Sequence, residues 1–176
     1  MSDPAKIDLR SYLRDIPDFP KPGILFKDIT PLLSSPEAFN AAIDRLADHY
    51  RGRSIDTIAA AEARGFIFGA PLALRMNAGF VPIRKPGKLP YATVAMEYQL
   101  EYGKDRLEVH TDAFAKSQRV LLIDDVLATG GTMRACCDLV RQAGTELVGC
   151  AFILELRFLH GREKLAPIDV FSLVSY

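Results

Sequence analysis

Short apolar runs alternate along the chain with stripes of apolar residues at helical spacing. The apolar runs are typical of strands buried in a parallel sheet, and we predict strands at residues 57–61, 79–84, 120–123, 146–154 and 170–174. The stripes predict helices at residues 7–16, 36–50, 66–76 and 133–143. Strands that alternate with helices indicate an α/β fold, in which a central, mostly parallel sheet is flanked by helices.

Two segments follow neither pattern. Residues 19–31 are interrupted by prolines and yet are rich in large apolar side chains, so they must cover a core or bind a ligand. Within them, Phe26 could stack on a flat ring or fill the core beneath a loop, and the residues alone leave both open. Residues 89–109 are irregular, and the alternation at 97–103 suits a hairpin arm of the kind that forms a lid or an interface.

The stretch V-L-L-I-D-D-V-L-A-T-G-G-T, residues 120–132, carries the most specific chemistry. Asp124 and Asp125 follow the predicted strand at the edge where open α/β sheets bind ligands. The loop after them contains two glycines and two threonines and leads into a helix, so its N–H and hydroxyl groups can hold one phosphate. Since like charges repel, the acids are better placed to bind sugar hydroxyls or to lie near a metal ion. The stretch predicts a sugar-phosphate site, and its loop residues are Ala128, Thr129, Gly130, Gly131 and Thr132.

Basic residues follow two other predicted strands. Arg64 lies in the loop after the first strand, and the turn after the second carries Arg84, Lys85 and Lys88. Each could be an ordinary solvated charge. Because the carboxyl ends of parallel strands share one edge of a sheet, these residues could equally form a second anion site beside the first.

Composition narrows the class of protein. The length of 176 residues suits a single domain, residues 1–176, and the formal net charge of zero gives no sign of a nucleic-acid or membrane partner. The three cysteines suggest neither a disulfide framework nor a zinc site, which favours buried thiols in a reducing compartment. No signal peptide or membrane span is evident in the sequence, so we predict a cytoplasmic protein.

The stretch at 120–132 resembles the signature with which the type I phosphoribosyltransferases bind phosphoribosyl pyrophosphate (PRPP). Other stretches similar to that family occur in the same order along nearly the whole chain: P-G-I-L-F-K-D-I-T-P-L-L, E-A-R-G-F, R-K-P-G-K-L-P, L-E-Y-G and G-R-E-K-L. The signature alone would indicate only the superfamily, whereas P-G-I-L-F-K-D and L-E-Y-G resemble its adenine branch. The resemblance implies the type I phosphoribosyltransferase fold, with residues 1–34 contributing a hood that binds the base and with a mobile β-arm.

The same resemblance implies a function in purine salvage. The expected reaction transfers the 5-phosphoribosyl group of PRPP to adenine and gives AMP and pyrophosphate. The resemblance also implies Mg²⁺ as a cofactor, held mainly by PRPP and water rather than by direct protein ligands. It further implies a homodimer, in which part of the basic turn could come from the neighbouring subunit.

The resemblance implies roles for the residues that would contact the purine base. Adenine would stack on Phe26, and the backbone at Leu25 and Lys27 would bind the edge of its ring. Glu101 would lie on the β-arm, and we expect it to act as a catalytic acid or base on the purine proton.

The resemblance also implies roles for the residues that would bind the ribose and the phosphate groups of PRPP. Asp124 and Asp125 would be catalytic acids that hold the ribose hydroxyls, and the loop at 128–132 would bind the 5′-phosphate. A cis peptide bond is expected between Ala63 and Arg64. The residues expected to contact pyrophosphate are Ala63, Arg64, Arg84, Lys85 and Lys88.

Three alternatives are open at this stage. The base could be another purine, such as xanthine or hypoxanthine, but the predicted strand at 147–154 has no lysine to bind a 6-oxo group, which favours a 6-amino purine. Position 27 is lysine where arginine is common in this family, a difference of little consequence for a backbone contact. The chain could instead be a regulator that binds PRPP without catalysis, or a phosphorelay receiver domain, which also has acids at strand ends.

Overall fold

The structure is a computed structural model that describes residues 7–100 and 103–176. Within these residues the helices are α1 (Thr30–Ser34), α2 (Pro36–His49), α3 (Arg64–Met76), α4 (Gly131–Gln142) and α5 (Gly161–Leu165). The strands are β1 (Arg14–Pro17), β2 (Leu25–Asp28), β3 (Thr57–Ala61), β4 (Gly79–Ile83), β5 (Thr93–Leu100), β6 (Gly103–His110), β7 (Arg119–Leu127), β8 (Glu146–Glu155) and β9 (Val170–Ser175).

Five strands form the central sheet, in the order β4-β3-β7-β8-β9, and each neighbouring pair is parallel. The chain places β4 on one side of β3 and then crosses back to place β7 on the other side. The strand order therefore reverses between β3 and β7. Ligands bind at such a switch point, beyond the carboxyl ends of the strands. The loops after β3 and β7 therefore lie together at one edge of the sheet.

The core has two halves, one on each face of the central sheet. Side chains alternate along a strand, so Ala60 of β3 packs with α2 and α3, whereas Ala59 packs with α4 and the β5–β6 hairpin. The predicted α/β fold, with a parallel sheet flanked by helices, is confirmed. The predicted burial of Cys136, Cys137 and Cys150 is also confirmed.

Local sequence chemistry fixes where the helices begin. The hydroxyl of Ser35 accepts a hydrogen bond from the N–H of Ala38 at 3.2 Å, and Pro36 occupies the first turn, so α2 begins there as predicted. Helix α4 begins directly after Gly130, whose φ of +79° lies in the left-handed region. The N-termini of α3 and α4 consequently lie close to the ends of β3 and β7.

Two hairpins stand outside the central sheet. Strands β1 and β2 form one two-stranded antiparallel sheet, and β5 and β6 form another that packs against α4. The second hairpin confirms the predicted arm. Its expected acid, Glu101, lies outside the described residues.

The predicted helix at residues 7–16 is wrong. This segment forms a short 3-10 helix at Leu9–Tyr12 and then strand β1. Leu9 and Leu13 are buried in the core, but the backbone after them pairs with β2. Tertiary pairing with a segment that is distant in sequence overrides the helical spacing of the apolar residues.

Three boundaries near the acid pair also differ from the sequence prediction. Strand β7 does not end before Asp124 but continues to Leu127, because its backbone still pairs with β8, and α4 starts at Gly131, inside the predicted loop. Helix α3 starts at Arg64, two residues earlier than predicted. The expected cis bond between Ala63 and Arg64 is wrong: the non-proline cis peptide bond joins Glu62 to Ala63, and Ala63 already has helical backbone angles as the N-cap of α3.

Two short helices were not predicted from the sequence. Helix α1 follows the β1–β2 hairpin, and α5 packs close to the loop after β7. Among the described residues, no helix has the length and apolar character needed to cross a bilayer.

Candidate active site

Two adjoining cavities open at the carboxyl ends of β3 and β7. The first has a volume of about 330 Å³ and lies between β2 and the loop after β7. The second, also of about 330 Å³, lies between the loop after β3 and the β5–β6 hairpin. Residues that line both cavities join them into one site, and these are Arg64, Asp124, Asp125 and Thr132.

Most of the residues singled out in the sequence line the first cavity. They come from three separate parts of the chain: Leu25, Phe26, Lys27, Arg64, Asp124, Asp125, Ala128, Thr129, Gly130, Gly131 and Thr132. Apolar residues that the sequence did not single out complete its wall: Ile24, Val126, Leu127, Met133 and Leu156. The second cavity includes two more of the predicted residues, Ala63 and Lys85.

The acid pair lies at the junction of the two cavities. Asp125 is only 3% exposed and forms an ion pair with Arg64, the first residue of α3. Its N–H donates a hydrogen bond of 2.9 Å to the Asp124 carboxylate. Burial raises the pKa of Asp124 well above its ordinary value, and the adjacent charge of Asp125 adds to the rise. Burial therefore favours the protonated form of Asp124.

The loop after β7 is built on a close approach of two glycines. A Cβ atom on Gly130 would lie 2.5 Å from the carbonyl oxygen of Gly161, and one on Gly161 would lie 2.1 Å from the carbonyl oxygen of Ala128. Only glycine fits at either position. Gly161 is thus a residue that supports the predicted phosphate loop from behind, and sequence reasoning missed it. The only sequence signal was the G-R-E-K-L stretch, which by itself does not show what Gly161 contacts.

Strand β2 presents backbone groups to the first cavity. In the β1–β2 register, Leu25 pairs with Pro17, which has no N–H, so this pair cannot exchange hydrogen bonds. Leu25, and Lys27 two residues on, therefore point their N–H and C=O groups away from β1. The side chain of Lys27 turns elsewhere and forms an ion pair of 2.6 Å with Asp15.

Phe26 is partly exposed beside the same cavity. Its ring makes an edge-to-face contact with Phe19, with the ring centroids 5.1 Å apart. Phe26 is therefore not buried in the core beneath a loop, the second of the two roles that its sequence left open. Its exposed ring surface can accept a flat ligand.

Glu62, whose side chain is 10% exposed, contacts three residues of the basic turn after β4. The Glu62 carboxylate accepts hydrogen bonds from the Nε of Arg84 at 3.0 Å and from the backbone N–H of Lys85 at 3.0 Å, and it lies 3.1 Å from the Nζ of Lys88. Burial would raise the pKa of Glu62, but these donors together lower it. Neither Arg84 nor Lys88 is among the described residues that line the two cavities, so of the predicted turn only Lys85 reaches the site.

The β5–β6 hairpin contributes a further acid to the site, Asp105. Lys85 forms an ion pair with Asp105 of β6, which raises the pKa of Lys85. The hydroxyl of Tyr98 donates to Asp105 at 3.0 Å and lies 3.5 Å from the hydroxyl of Thr132. A chain of polar contacts thus joins the basic turn, the arm and the phosphate loop. Sequence reasoning missed Glu62, Tyr98 and Asp105, since their partners are distant along the chain.

The acids of the site suit a metal that is held mainly by a ligand. Within residues 7–100 and 103–176, no group of three or more His, Cys, Asp or Glu side chains could hold a metal ion. Near the cavities the donors are carboxylate and hydroxyl oxygens, which suit a hard cation such as Mg²⁺. Mg²⁺ commonly keeps several waters and binds through substrate phosphates, so these donors fit that mode.

The parallel sheet, the acid pair and the glycine loop define an α/β protein that binds a sugar phosphate. Residues 29–173 match the family model described as a phosphoribosyl transferase domain. The chain therefore belongs to the phosphoribosyl transferase family. Sequence identities of 54–60% to adenine phosphoribosyltransferases show that it belongs to this branch of the family. The resemblance found in the sequence is confirmed.

The relatives are similar over nearly the whole chain. The adenine phosphoribosyltransferase of Maridesulfovibrio salexigens is 60% identical over 168 residues, which cover 96% of this chain and 99% of the relative. The crystal structure of the adenine phosphoribosyltransferase from Thermoanaerobacter pseudethanolicus superposes with a TM-score of 0.93 at 54% identity, covering 96% of this chain and 98% of that one. The enzyme of Trypanosoma brucei, in complex with AMP, pyrophosphate and ribose-5-phosphate, superposes with a TM-score of 0.87 at 31% identity, covering 95% and 78%.

Proposed function

We propose that this chain transfers the 5-phosphoribosyl group of PRPP to adenine, giving AMP and pyrophosphate in purine salvage. The observation that carries the proposal is that one cavity joins the open backbone edge of β2, the acid pair and the glycine loop. A flat base, a ribose and a phosphate can therefore lie side by side. The relatives named for this reaction support the same function.

The 5′-phosphate binds in the loop at residues 128–132. Free N–H groups at the start of α4, with the hydroxyls of Thr129 and Thr132, donate hydrogen bonds to it. Gly161 holds this loop in place through its contact with Ala128. Binding at this end fixes the ribose in the cavity and leaves its first carbon facing the base.

Asp124 and Asp125 accept hydrogen bonds from the two ribose hydroxyls. As the bond to pyrophosphate breaks, positive charge develops on the ribose ring, and the nearby carboxylates stabilise it. A sugar that binds here adds donors to Asp124, which favours the ionised form of a carboxyl whose pKa burial has raised. Substrate binding thereby favours the charged form of Asp124.

Pyrophosphate binds in the second cavity, against Arg64, Lys85 and the backbone at Ala63. Both cations are paired with acids, Arg64 with Asp125 and Lys85 with Asp105. The diphosphate of PRPP therefore competes with carboxylates for these cations. Arg84 and Lys88 support the turn through Glu62 and contribute a longer-range positive field.

Adenine lies against Phe26, and the backbone groups of Leu25 and Lys27 bind the edge of its ring. A 6-amino purine presents a donor beside a ring-nitrogen acceptor, and adjacent C=O and N–H groups on a strand edge complement that pair. Glu101 acts as the general acid or base on the purine proton when the arm lies over the site. No covalent nucleophile is needed for this displacement.

Mg²⁺ is the proposed cofactor, held by PRPP oxygens and water, and it would supply positive charge at the leaving diphosphate. We further propose that residues 1–176 form one domain, with residues 1–34 as the hood over the base. A homodimer in the cytoplasm completes the proposal. The β1–β2 hairpin, which lies outside the central sheet and beside the cavity, supports the hood.

The experiment that tests this function measures pyrophosphate release from PRPP and Mg²⁺ with adenine, hypoxanthine, guanine or xanthine supplied separately. We expect turnover with adenine alone. Turnover only with an oxopurine would leave the PRPP site intact but contradict the role given to β2. PRPP binding without turnover of any base would show a regulator rather than an enzyme.

A further inference from the structure

The strand that carries the proposed base contacts has little support within its own sheet. Within the part of the chain that the structure describes, strand β2 pairs with β1 alone, and the two form an antiparallel sheet separate from the central one. A two-stranded hairpin is marginally stable by itself in water. Its position over the cavity must therefore come from contacts with the rest of the molecule.

Lys27 of β2 makes two such contacts. Its Nζ lies 2.6 Å from the Asp15 carboxylate and 3.7 Å from the centre of the Tyr176 ring. The Lys27 side chain is only 9% exposed, whereas that of Asp15 is 53% exposed. The largely exposed acid gives weak support, since solvent screens it. Of these two contacts, the one with the aromatic face of Tyr176 is therefore expected to contribute more.

The central sheet fixes the position of Tyr176. Its N–H donates to the carbonyl oxygen of Glu155 at 2.9 Å, and its own carbonyl oxygen accepts from the N–H of Arg157 at 2.9 Å. Arg10 reinforces the arrangement, because its guanidinium lies 4.6 Å from the same ring and donates to the carbonyl oxygen of Ser175 at 2.7 Å. The ring is thus anchored to β8 and β9 and contacts two cations of the N-terminal segment.

Resting on the proposed function, we propose that Tyr176 is a positioning residue for adenine binding. Its ring holds the Lys27 side chain away from the cavity and docks β2 on the central sheet. The N–H and C=O groups of Leu25 and Lys27 are then fixed toward the base. Without the ring, β2 would lose its anchor and a cation would be released beside the cavity. Tyr176 touches neither the cavity nor the reacting atoms, so its effect is confined to the base.

The test compares Tyr176→Ala with Tyr176→Phe, which keeps the aromatic face. In Tyr176→Ala we expect KM for adenine to rise about tenfold, as loss of a shielded cation–π contact implies. KM for PRPP and kcat should stay within about twofold of wild type, because the phosphate sites are not anchored to Tyr176. Tyr176→Phe should restore the wild-type KM. Tyr91→Ala removes an exposed tyrosine of similar size outside both cavities and serves as the control.

A second variant keeps the proposal testable if Tyr176→Ala folds poorly. Lys27→Met removes the ammonium group and retains the ring, and it should raise KM for adenine by a similar factor. In a double-mutant cycle the two changes should be strongly non-additive, because they remove the same contact. Equal rises of KM for adenine and PRPP, or full additivity, would overturn the proposal. If wild-type protein does not turn over adenine at all, both the proposed function and this inference fail.

Discussion

Arg64 and Asp125 form an ion pair that joins the start of α3 to the end of β7. The arginine is about half exposed, whereas the acid is almost fully buried. The pair links the proposed diphosphate and ribose subsites through a single contact. Any ligand that takes the arginine also changes the environment of the acid.

Replacing Arg64 should therefore weaken PRPP binding selectively. For Arg64→Ala we expect KM for PRPP to rise about 10- to 100-fold, the usual effect of losing hydrogen bonds to a charged group. Arg64→Lys keeps the charge but loses the planar guanidinium group. Its KM for PRPP should therefore lie between those of wild type and Arg64→Ala. Initial rates measured against each substrate in turn check this. An unchanged KM for PRPP, or an equal rise of KM for adenine, would contradict the role.

Asp124 should lower the stability of the fold at neutral pH. Burial raises its pKa above the ordinary 3.8, so the folded protein binds the proton more tightly than the unfolded chain does. The free energy of unfolding therefore decreases as the pH rises from the ordinary pKa through the raised one. Asp124→Asn removes this partly buried charge and should stabilise the protein by about 1 kcal/mol at pH 8, while activity falls.

The gain from Asp124→Asn should disappear at a pH below the ordinary pKa, where the carboxyl is protonated in both states. Thermal unfolding of wild type and Asp124→Asn, measured from about pH 3 to pH 8, follows this change. Asp125→Asn is the matched control, since it removes the partner of Arg64 and should give no such gain. A destabilised Asp124→Asn at pH 8 would be the contrary result.

Gly161 should be as intolerant of a side chain as the phosphate loop itself. A Cβ there would lie 2.1 Å from the carbonyl oxygen of Ala128, so the loop must shift. We expect Gly161→Ala to lower the free energy of unfolding by about 1–3 kcal/mol, typical of overpacking, and to raise KM for PRPP. Denaturant unfolding and PRPP titration measure the two effects.

Gly79→Ala provides the control for this change. A Cβ at Gly79 would meet its nearest neighbour at 3.6 Å, an ordinary contact, and Gly79 lies outside both cavities. It should leave KM for PRPP unchanged. If Gly161→Ala bound PRPP as well as wild type, the supporting role of Gly161 would be wrong.

The proposed proton transfer by Glu101 predicts a loss in kcat. General acid–base groups typically contribute about 100- to 10,000-fold, so Glu101→Gln should lower kcat by at least about 100-fold. KM for PRPP should change little. Glu146→Gln, at an exposed acid that pairs with Arg119 at the start of β7, is the control. A near-normal kcat in Glu101→Gln would remove the residue from the chemistry.

The sequence by itself determined the layered fold and predicted which loop binds the phosphate. Apolar runs and helical stripes are local patterns, and they gave β3, α2 and the order of the strands in the chain. The stretch at 120–132 also carried its chemistry locally, because the acids, glycines and threonines are adjacent. For these features the informative pattern lies within a short segment, so the residue order is sufficient to predict them.

Only the tertiary structure decided which distant groups meet. The strand formed by residues 14–17 exists because β2 lies beside it, and the segment's own spacing favours a helix. Glu62 holds the basic turn, and Gly161 supports the loop, through contacts with no signature in their own neighbourhoods. The Lys27–Tyr176 contact joins strand β2 to a residue 149 positions later in the chain. Such pairs depend on how the sheet brings separate segments together, which no local pattern records.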